Sequence, residues 1–516
     1  MKKTLCLLLT VIMAVGLLAG CTDGESIANE VYDPTIKVGD TGGLKLPLTK
    51  EPMTITWQVV SSETNINDSW FMEKLRGVTG VDVQLIIMQT STVNEKLQAL
   101  IAGGNIPDIV SSSTDAQRID LAMQGAFAAV SDYIDKLPNF KKTFVDNKEN
   151  NWIFDSYAAP DGKLYGYYGY DYNRDINHAF MYRKDIFDKH GIKMWNSPEE
   201  FYQALKKLKE LYPSSLPFVS KNVDAIFAKL APEWGIKAHE PYFDETENIW
   251  KYSDTDVKYK EMLDFLKKLY NEGLMDPEFL TATQSAWTQK MTQKDKAFVT
   301  FDWIDRMTMF KEQTKDTVPE YDLRFANPIG PNQTYAEANQ LCWARYVKNQ
   351  DEKREEVAFK LLDFCLSPFG KELMTMGIEG ETYTIDENGM AKYIGFDETP
   401  SMTDLIEKYG MFTEGMYLSF DRRSCYFNFA PQLKEAQDYM QKKENVDPMD
   451  PVLAYTSEET EKKNEYLASL QKAGKEFSVK YILGNASWDE WVIKAKSLGS
   501  EDLTKIYNEA QKRISK

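Results

Sequence analysis

The apolar positions change period several times between residues 54 and 110, and each change marks a predicted element. Residues 54–60 and 81–88 are short runs of β-branched and other apolar side chains, a pattern typical of buried strands. Residues 70–78 and 94–103 carry their apolar side chains at helical spacing instead. A third strand is predicted to begin at Asp108. Strand, helix, strand, helix, strand in this order predicts a parallel sheet with right-handed crossovers.

Longer helices are predicted in the middle of the chain. Ser197 to Glu200 has the spacing of a capping box with proline at the first helical position, and an apolar stripe follows over residues 201–211. Residues 258–271 and 357–365 show the same helical spacing, and a glycine or a proline follows each of them. The whole pattern predicts an α/β protein with inserted helices.

The first 21 residues form a separate segment. Two lysines precede an apolar run from Leu5 to Leu17, which ends in Leu18-Ala19-Gly20-Cys21. The run is shorter than the roughly 20 apolar residues of a membrane span. This layout is that of a secretory signal peptide, and the cysteine after small residues resembles a bacterial lipobox. A plain signal peptide, or one membrane helix with a chance cysteine, is the alternative.

The lipobox resemblance implies that residues 1–20 are removed and that Cys21 is diacylated. Two acyl chains give stable anchoring, because each buried methylene contributes about 0.8 kcal/mol. Residues 22–50 are mostly polar and have no clear period, so residues 21–50 are predicted to be a flexible tether. We therefore expect a protein on the extracellular face of a Gram-positive cell membrane, held there by its lipid alone.

Composition limits the classes of partner. The chain has 516 residues, which suggests two or three folding units at about 100–200 residues each. Its formal net charge is -18, which disfavours nucleic acid, anionic lipid and, mildly, polyanionic glycans. Aromatic residues make up 13%, with 28 Tyr and 11 Trp, and such rings suit the flat faces of sugars as well as a core.

Most catalytic and cofactor motifs are absent from the sequence. The three cysteines after Cys21 (Cys342, Cys365 and Cys425) form no CxxC pair, so buried free thiols are expected rather than a disulfide framework. The three histidines are widely separated, and no phosphate-binding loop, GxGxxG, GxSxG or EF-hand pattern occurs. We expect no metal and no cofactor. Acid pairs such as Asp302 with Asp305 leave hydrolysis open, because their geometry cannot be derived from sequence.

Seven motifs, in a conserved family order, resemble the extracellular solute-binding proteins (family 1) of Gram-positive carbohydrate ABC importers. They are most similar to the large lipoproteins that include oligosaccharide- and alginate-binding members. The most specific motif is the Pro-Asp-Ile of residues 102–110. The seven matching segments are Thr79–Val83, Ala102–Val110, Gly125–Ile134, Asp161–Gly166, Tyr182–Ile192, Leu269–Phe279 and Gly377–Gly380.

The resemblance implies a two-lobed, type II periplasmic-binding-protein-like fold that closes on its ligand about a hinge. Residues 51–170 with about 330–395 are expected to form lobe 1, and residues 171–329 with about 396–516 lobe 2. Some relatives carry a calcium loop after the capped helix, but residues 209–217 lack it, which again predicts no metal. Trp195 is unusual for the family and is expected at the surface or facing the ligand.

Ligands of open α/β sheets bind beyond the carboxyl ends of strands, which indicates where ligand-binding residues are expected in this sequence. Some follow predicted strands, and others lie in aromatic or glycine-rich loops near the expected hinge. Each has an alternative role in a core, a turn or a loop. The candidates are Trp57, Gln58, Ser112, Ser113, Tyr170, Asp171, Asn173, Asp302, Trp303, Arg306, Glu379 and Tyr383, with Asp421 and Arg422 as further possibilities.

These features together predict a lipid-anchored, monomeric binding protein. It is expected to capture an oligosaccharide between its lobes and deliver it to the permease subunits of an ABC transporter. A peptide or another polar solute is the alternative ligand. A surface glycoside hydrolase and a non-transport adhesion or sensory lipoprotein are the alternative classes.

Overall fold

The computed structural model describes residues 29–514, apart from residues 62, 64, 90–91, 113–117, 119–120, 160, 222, 339, 448, 452 and 454. The predicted leader and Cys21 therefore lie outside the described residues. Within the described part, no helix combines the length and the apolarity needed to cross a bilayer.

The strands and helices alternate along the chain, as the apolar pattern predicts. The strands are β1 Thr54–Val60, β2 Asp82–Met88, β3 Ile109–Ser112, β4 Gly166–Tyr167, β5 His178–Arg183, β6 Phe218–Val219, β7 Pro241–Asp244, β8 Ile249–Tyr252, β9 Val299–Trp303, β10 Leu323–Phe325, β11 Tyr335–Ala336, β12 Ala344–Val347, β13 Tyr383–Ile385, β14 Ala391–Tyr393 and β15 Val446–Asp447. The helices are α1 Trp70–Thr79, α2 Val93–Ala102, α3 Pro138–Phe140, α4 Trp152–Tyr157, α5 Lys184–His190, α6 Pro198–Leu211, α7 Val223–Leu230, α8 Val257–Asn271, α9 Gln284–Thr292, α10 Arg306–Thr314, α11 Glu352–Leu366, α12 Pro368–Thr375, α13 Met402–Tyr409, α14 Pro431–Met440, α15 Ser457–Ile482, α16 Trp488–Ser497 and α17 Ser500–Ile514.

Two separate sheets form the centres of two lobes. The first has the order β2-β1-β3-β12-β4, and β1 is parallel to both β2 and β3, which confirms the predicted parallel unit. The second has the order β10-β5-β9-β6. Each sheet has its own hydrophobic core, so the α/β two-lobed prediction is confirmed.

The division of the chain between the lobes differs from the prediction after residue 396. Leu405, Met411 and Phe420 belong to the core of the first lobe, although residues from about 396 onward were assigned to the second. The second core takes up the chain again at Leu433, in α14. A helix has the same amphipathic pattern whichever lobe it packs on. The sequence therefore does not show to which lobe residues after 396 belong.

Residues 29–50 also differ from their prediction, which placed residues 21–50 in a flexible tether. The Asn29 side-chain amide donates to two backbone carbonyls at 3.0 and 2.7 Å. The side chains of Leu44 and Leu48 are buried in the first core. Two isolated leucines in a polar stretch produce no periodic signal, which is why this packed segment was not predicted.

Helix ends follow local chemistry closely. The hydroxyl of Ser197 accepts a hydrogen bond from the backbone of Glu200, so Ser197 caps α6 as predicted. The Glu200 carboxylate accepts from the backbone of Asn196 rather than of Ser197, so the capping box is only half formed.

The indole of Trp195, expected at the surface or in the cleft, is buried and donates to the Asn327 carbonyl at 2.8 Å.

Asp108 fixes the start of β3 to β1 and to α11. Its carboxylate accepts from the backbone and hydroxyl of Thr56 at 2.8 and 2.7 Å, and from Arg354 and Gln350 at 2.8–2.9 Å. Burial alone would raise the pKa of Asp108, but these hydrogen bonds outweigh it and hold the pKa well below its usual range. The Pro-Asp-Ile motif therefore has a structural role.

The remaining cysteines, Cys342, Cys365 and Cys425, are free thiols, the first two buried as expected and the third partly buried.

We expect Asp108→Asn to lower the free energy of unfolding of the first lobe by about 2–3 kcal/mol, because it removes charge-assisted hydrogen bonds from a buried group. Chemical unfolding followed by circular dichroism measures the change. Asp135→Asn, at an exposed position of the same lobe, is the control and should change stability by no more than about 0.5 kcal/mol. Equal stability of the two variants would contradict the assigned role of Asp108.

Candidate functional site

Three segments cross between the lobes, and they are bonded to one another. The first, second and third crossing segments are residues 168–177, 326–343 and 417–430. Backbone hydrogen bonds join the first to the third, from Tyr170 to the Leu418 carbonyl at 2.8 Å, and the first to the second, at 3.0 and 3.2 Å. The lobes are therefore held by one connected layer of backbone, which forms the floor between them.

Arg174 is the central side chain of this floor. Its Nε donates to the carbonyl of Tyr426 at 2.9 Å, and its Nη1 lies 2.7 Å from the carboxylate of Asp305 in the second lobe. The guanidinium also lies over the Tyr426 ring, 4.2 Å from its centroid. Arg174 is only 8% exposed, so these partners satisfy a charge that has little contact with water.

An aromatic pair lies at the edge of the second sheet that faces the crossing segments. His178 begins β5 and pairs in register with Trp303, the last residue of β9. Their ring centroids are 4.1 Å apart, and Trp303 is 43% exposed. Burial, with help from the nearby charge of Lys229, lowers the pKa of His178 to about 4, so the imidazole is neutral at pH 7. The two ring planes are tilted by 44° to each other, and together they offer an uncharged, partly exposed aromatic surface.

Asp302 lies directly beside this pair but is already occupied. Its carboxylate contacts Lys221 at 2.6 Å and Arg306 at 2.9 Å, and it accepts the backbone N–H of Trp303 at 2.8 Å. Only 2% of Asp302 is exposed. Asp302 and Arg306 therefore hold the end of β9 in place.

A cavity of about 270 Å³ opens next to the aromatic pair. Its wall includes Asn173 and Asn177 of the first crossing segment, His178, Phe301 of β9 and Lys229 of α7. Amides, an ammonium and aromatic surface in one cavity can bind hydroxyl groups and a sugar ring at the same time. Of the predicted residues, Asn173 lines this cavity and Trp303 lies beside it.

The first lobe contributes a second exposed tryptophan. Trp343 directly precedes β12, whose first residue pairs with Ser112 at the carboxyl end of β3, and Trp343 is 45% exposed. Buried Arg345 holds this corner: its guanidinium donates to the Trp343 carbonyl and, at 2.9 and 2.6 Å, to the carbonyls of Gly415 and Tyr417. Trp343 therefore lies at the same kind of strand edge in the first lobe as Trp303 does in the second.

Several predicted ligand-binding residues lie elsewhere. Trp57 and Gln58 are fully buried, because β1 is covered on both faces. Tyr383 is 1% exposed and donates to Glu372 at 2.8 Å; burial raises the pKa of its phenol. Glu379 is exposed in the turn next to β13, where its backbone bridges to Tyr383. Trp57, Gln58 and Tyr383 are therefore core residues, which corrects the prediction.

The remaining candidates belong to the floor or lie outside the description. Asp171 has a left-handed backbone, with φ of 61°, and forms an ion pair with Arg422 of the third crossing segment. Tyr170 packs partly buried against the first core. Ser112 is the last residue of β3, and its side chain is not described; Ser113 lies outside the described residues. Asp421 binds Arg423.

Sequence reasoning missed His178, Lys229 and Trp343. His178 has no histidine partner at helical spacing in the sequence, and its place next to Trp303 depends on the pairing of β5 with β9, which the sequence does not show. Trp343 precedes β12, a strand that is too short and too fully buried to show an alternating pattern. Lys229 ends a helix with no motif, and nothing in the sequence marks it.

The described residues show no arrangement typical of a metal site, and the acid pair Asp302 and Asp305 is not arranged for hydrolysis. No group of three or more His, Cys, Asp or Glu side chains in the described part could hold a metal ion. Asp302 is paired with two cations and Asp305 with Arg174. A glycosidase needs two carboxyl groups that face each other across a bond and are free to act. This acid pair does not meet that requirement.

The fold and the site define a class of protein: two α/β lobes, joined by crossing segments, with aromatic and polar side chains facing the space between them. The sequence model of the family described as bacterial extracellular solute-binding protein matches residues 70–379. The chain belongs to this family.

Curated relatives and solved structures are consistent with this membership. Lipoprotein LipO of Bacillus subtilis (strain 168) is 24% identical over 366 residues, 66% of this chain and 68% of LipO. The polygalacturonan/rhamnogalacturonan-binding protein YtcQ of the same organism is 20% identical over 527 residues, 98% of each chain. The alginate-binding protein AlgQ2, solved without calcium ion, superposes with a TM-score of 0.73 at 21% identity, covering 91% of this chain and 100% of AlgQ2. The S. pneumoniae protein FusA, solved as an EF-hand mutant in complex with fructo-nystose, superposes with a TM-score of 0.69 at 18% identity. The match covers 90% of this chain and 99% of FusA.

The buried, neutral state of His178 predicts a pH dependence of stability. Its folded pKa is below the unfolded value of about 6.5, so the unfolded chain binds more protons and stability is lost as pH falls from about 6.5 towards 4. Between pH 7 and pH 5 the wild type should lose about 1–2 kcal/mol more than His178→Gln. Urea unfolding at the two pH values measures this difference. His190→Gln, in the same lobe, should lose as much stability between pH 7 and pH 5 as the wild type. An equal loss in all three proteins would contradict the lowered pKa assigned to His178.

Proposed function

We propose that this chain is a lipid-anchored extracellular protein that captures an oligosaccharide between its lobes and delivers it to the permease subunits of an ABC importer. The observation that supports the sugar ligand best is the Trp303–His178 pair beside a cavity lined with amides. Sugar rings have apolar faces and hydroxyl edges, so a flat aromatic surface next to hydrogen-bonding groups complements both parts. Trp343, at the matching edge of the other lobe, would cover the opposite side of the ligand on closure.

The relatives support a carbohydrate as the ligand class. YtcQ is named for polygalacturonan and rhamnogalacturonan, AlgQ2 for alginate, and FusA was solved with fructo-nystose. These sugars differ in linkage and charge, so the shared property is a chain of sugar rings rather than one particular glycan. A peptide remains the alternative ligand.

The protein is proposed to bind its ligand without changing it, and to act as a monomer. Ligand contacts with both lobes would shift the population towards the closed state. Only that loaded state would then dock productively on the permease. The ion-paired state of Asp302 and Asp305 supports binding rather than hydrolysis.

A calorimetric and thermal-shift screen of the chain from Thr22 onward, against oligosaccharides, peptides and polar metabolites, tests this proposal. We expect a stabilising shift with one class of oligosaccharide, recovered intact after incubation. For that ligand, Trp303→Ala should weaken binding by about 1–3 kcal/mol, the scale of a binding hot spot, because it removes the exposed stacking surface. Folding should be preserved, since the Trp303 side chain is partly exposed at the end of a strand.

Ile493→Ala is the matched control. Ile493 is 70% exposed on α16, and its replacement by alanine removes a similar apolar surface away from the crossing segments. The Ile493→Ala variant should bind the oligosaccharide with the same affinity as the wild type. A stabilising thermal shift with peptides alone would contradict the carbohydrate assignment. Cleavage of the glycan would show that the protein is an enzyme.

The lipid anchor is proposed from the sequence of residues 18–21, with the LipO relative as support. In a Gram-positive host, Cys21→Ser should abolish incorporation of labelled palmitate and release the protein into the medium. The same host expressing Cys425→Ser, which keeps the lipobox, should retain the label on the membrane fraction. Membrane retention of the Cys21→Ser protein would rule out acylation as its anchor.

A further inference from the structure

The segment of residues 29–50, which precedes β1, is bonded to the first lobe from its first described residue. The Asn29 side-chain amide donates to the carbonyls of Thr49 and Gly80, at 3.0 and 2.7 Å. Four residues later, the backbone N–H of Asp33 donates to the Gly77 carbonyl at 2.8 Å. Gly77 and Gly80 lie at the end of α1, so the segment is attached to that helix at two successive points.

Two glycines provide the space for this attachment. A Cβ atom at Gly77 would lie 2.7 Å from Cδ1 of Ile36, and one at Gly80 would lie 2.7 Å from Cβ of Pro47. Gly80 also has a left-handed backbone, with φ of 69°, which by itself favours glycine. The segment therefore occupies space that a side chain would fill, and Asn29 is a fixed point of the first lobe.

Asn29 lies at the amino edge of the first sheet, away from the crossing segments. Its partners Thr49 and Gly80 shortly precede β1 and β2, which are parallel and so begin at the same edge. At the opposite end of β1, the backbone of Val60 donates to the Glu414 carbonyl at 3.0 Å, three residues before the third crossing segment. The seven residues of β1, about 23 Å at 3.3 Å per residue, therefore lie between Asn29 and the floor.

The proposed lipid site is close to this fixed point along the chain. Residues 22–28 connect Cys21 to Asn29. In any conformation, these eight steps of at most 3.3–3.6 Å each span no more than about 29 Å. A compact chain of about 500 residues has a radius of gyration of about 23 Å and is about 60 Å across. Asn29 therefore cannot lie on the side of an anchored protein that faces away from the bilayer.

The surface around Asn29 has no feature that binds lipid by itself. Residues 29–51 carry four acidic and three basic side chains, so this surface lacks the cluster of lysines and arginines that anionic lipids attract. None of the exposed large apolar side chains of the described part lies in this segment. The length of the link to Cys21, rather than adhesion, would therefore keep this surface near the membrane.

We propose that the amino edge of the first lobe, around Asn29, faces the outer surface of the cell membrane, and that the second lobe is held there only through the crossing segments. This inference rests on the proposed lipid anchor and adds an orientation to it. The partner surface is the layer of lipid headgroups, within about 29 Å of Asn29. Closure on a ligand would then move the second lobe relative to the membrane while the first lobe stays in place.

Energy transfer to the membrane tests this orientation. The acylated full-length protein is reconstituted into vesicles of phosphatidylcholine and phosphatidylglycerol that carry an acceptor dye on the headgroups. A donor dye is attached to Lys50→Cys, an exposed position next to Thr49, or to Lys434→Cys, the matched control on α14 of the second lobe. Both are made in the Cys425→Ser chain, because the other two thiols of the described part are buried.

Transfer from Lys50→Cys should exceed transfer from Lys434→Cys about twofold or more, because the link keeps the first position within about 30 Å of the headgroups. High salt should leave this ratio unchanged, because no electrostatic attraction is involved. A Gly/Ser insert of about 30 residues after residue 28, which can extend to roughly 100 Å, should make the two transfers nearly equal.

Equal transfer from the two positions without the insert, or higher transfer from Lys434→Cys, would overturn the orientation and leave acylation and sugar capture intact. A difference that persists with the insert would show that the surface itself binds lipid, which also contradicts the inference. Absence of palmitate from the wild type would overturn both the anchor and the orientation. Sugar capture by the chain from Thr22 onward does not depend on either result.

Discussion

The arrangement of the two lobes depends on Arg174, a nearly buried arginine of the first crossing segment whose donors have partners in two other parts of the chain. The guanidinium belongs to the first crossing segment, its Nε bonds the Tyr426 carbonyl of the third, and its Nη1 pairs with Asp305 of the second lobe. A buried charge that loses one partner is strongly destabilising, so these contacts are expected to be retained together. Because Asn173 and Asn177 flank Arg174, the same contacts determine where the cavity opens. Any closing motion of the lobes has to bend around this centre.

Electrostatics in this protein is local rather than global. The surface is strongly acidic, yet the edge of the second sheet gathers Lys221, Lys229 and Arg306 around one carboxylate. Lys221 and Arg306 have a structural role, because they pair with Asp302 and hold the end of β9 in place. The third is left without a partner in the described part of the chain.

The division between predicted and unpredicted site residues follows burial. Residues 54–110 change period clearly, so their strands and helices were predicted almost to the residue. Trp57 and Gln58 follow the same strand pattern but were placed in the cleft, because a sequence does not show how many faces of a strand are covered. Trp303 ends a strand, is partly exposed and contacts His178 of the cavity wall, and its contact with a ligand stays a prediction. Lys229 belongs to no motif, and only the assembled strands and helices place it in the wall of the cavity beside His178.

The sequence by itself determined the alternation of strands and helices, the capping of α6 by Ser197, the free thiols and the family. Each of these depends on neighbours within a few residues or on ordered motifs, which are local properties. Only the tertiary structure decided that residues 402–427 return to the first lobe, that Asp302 is neutralised by Lys221 and Arg306, and that His178 faces Trp303. These contacts join residues that are distant along the chain, and their energy depends on burial and on distance in space, which the order of residues does not encode.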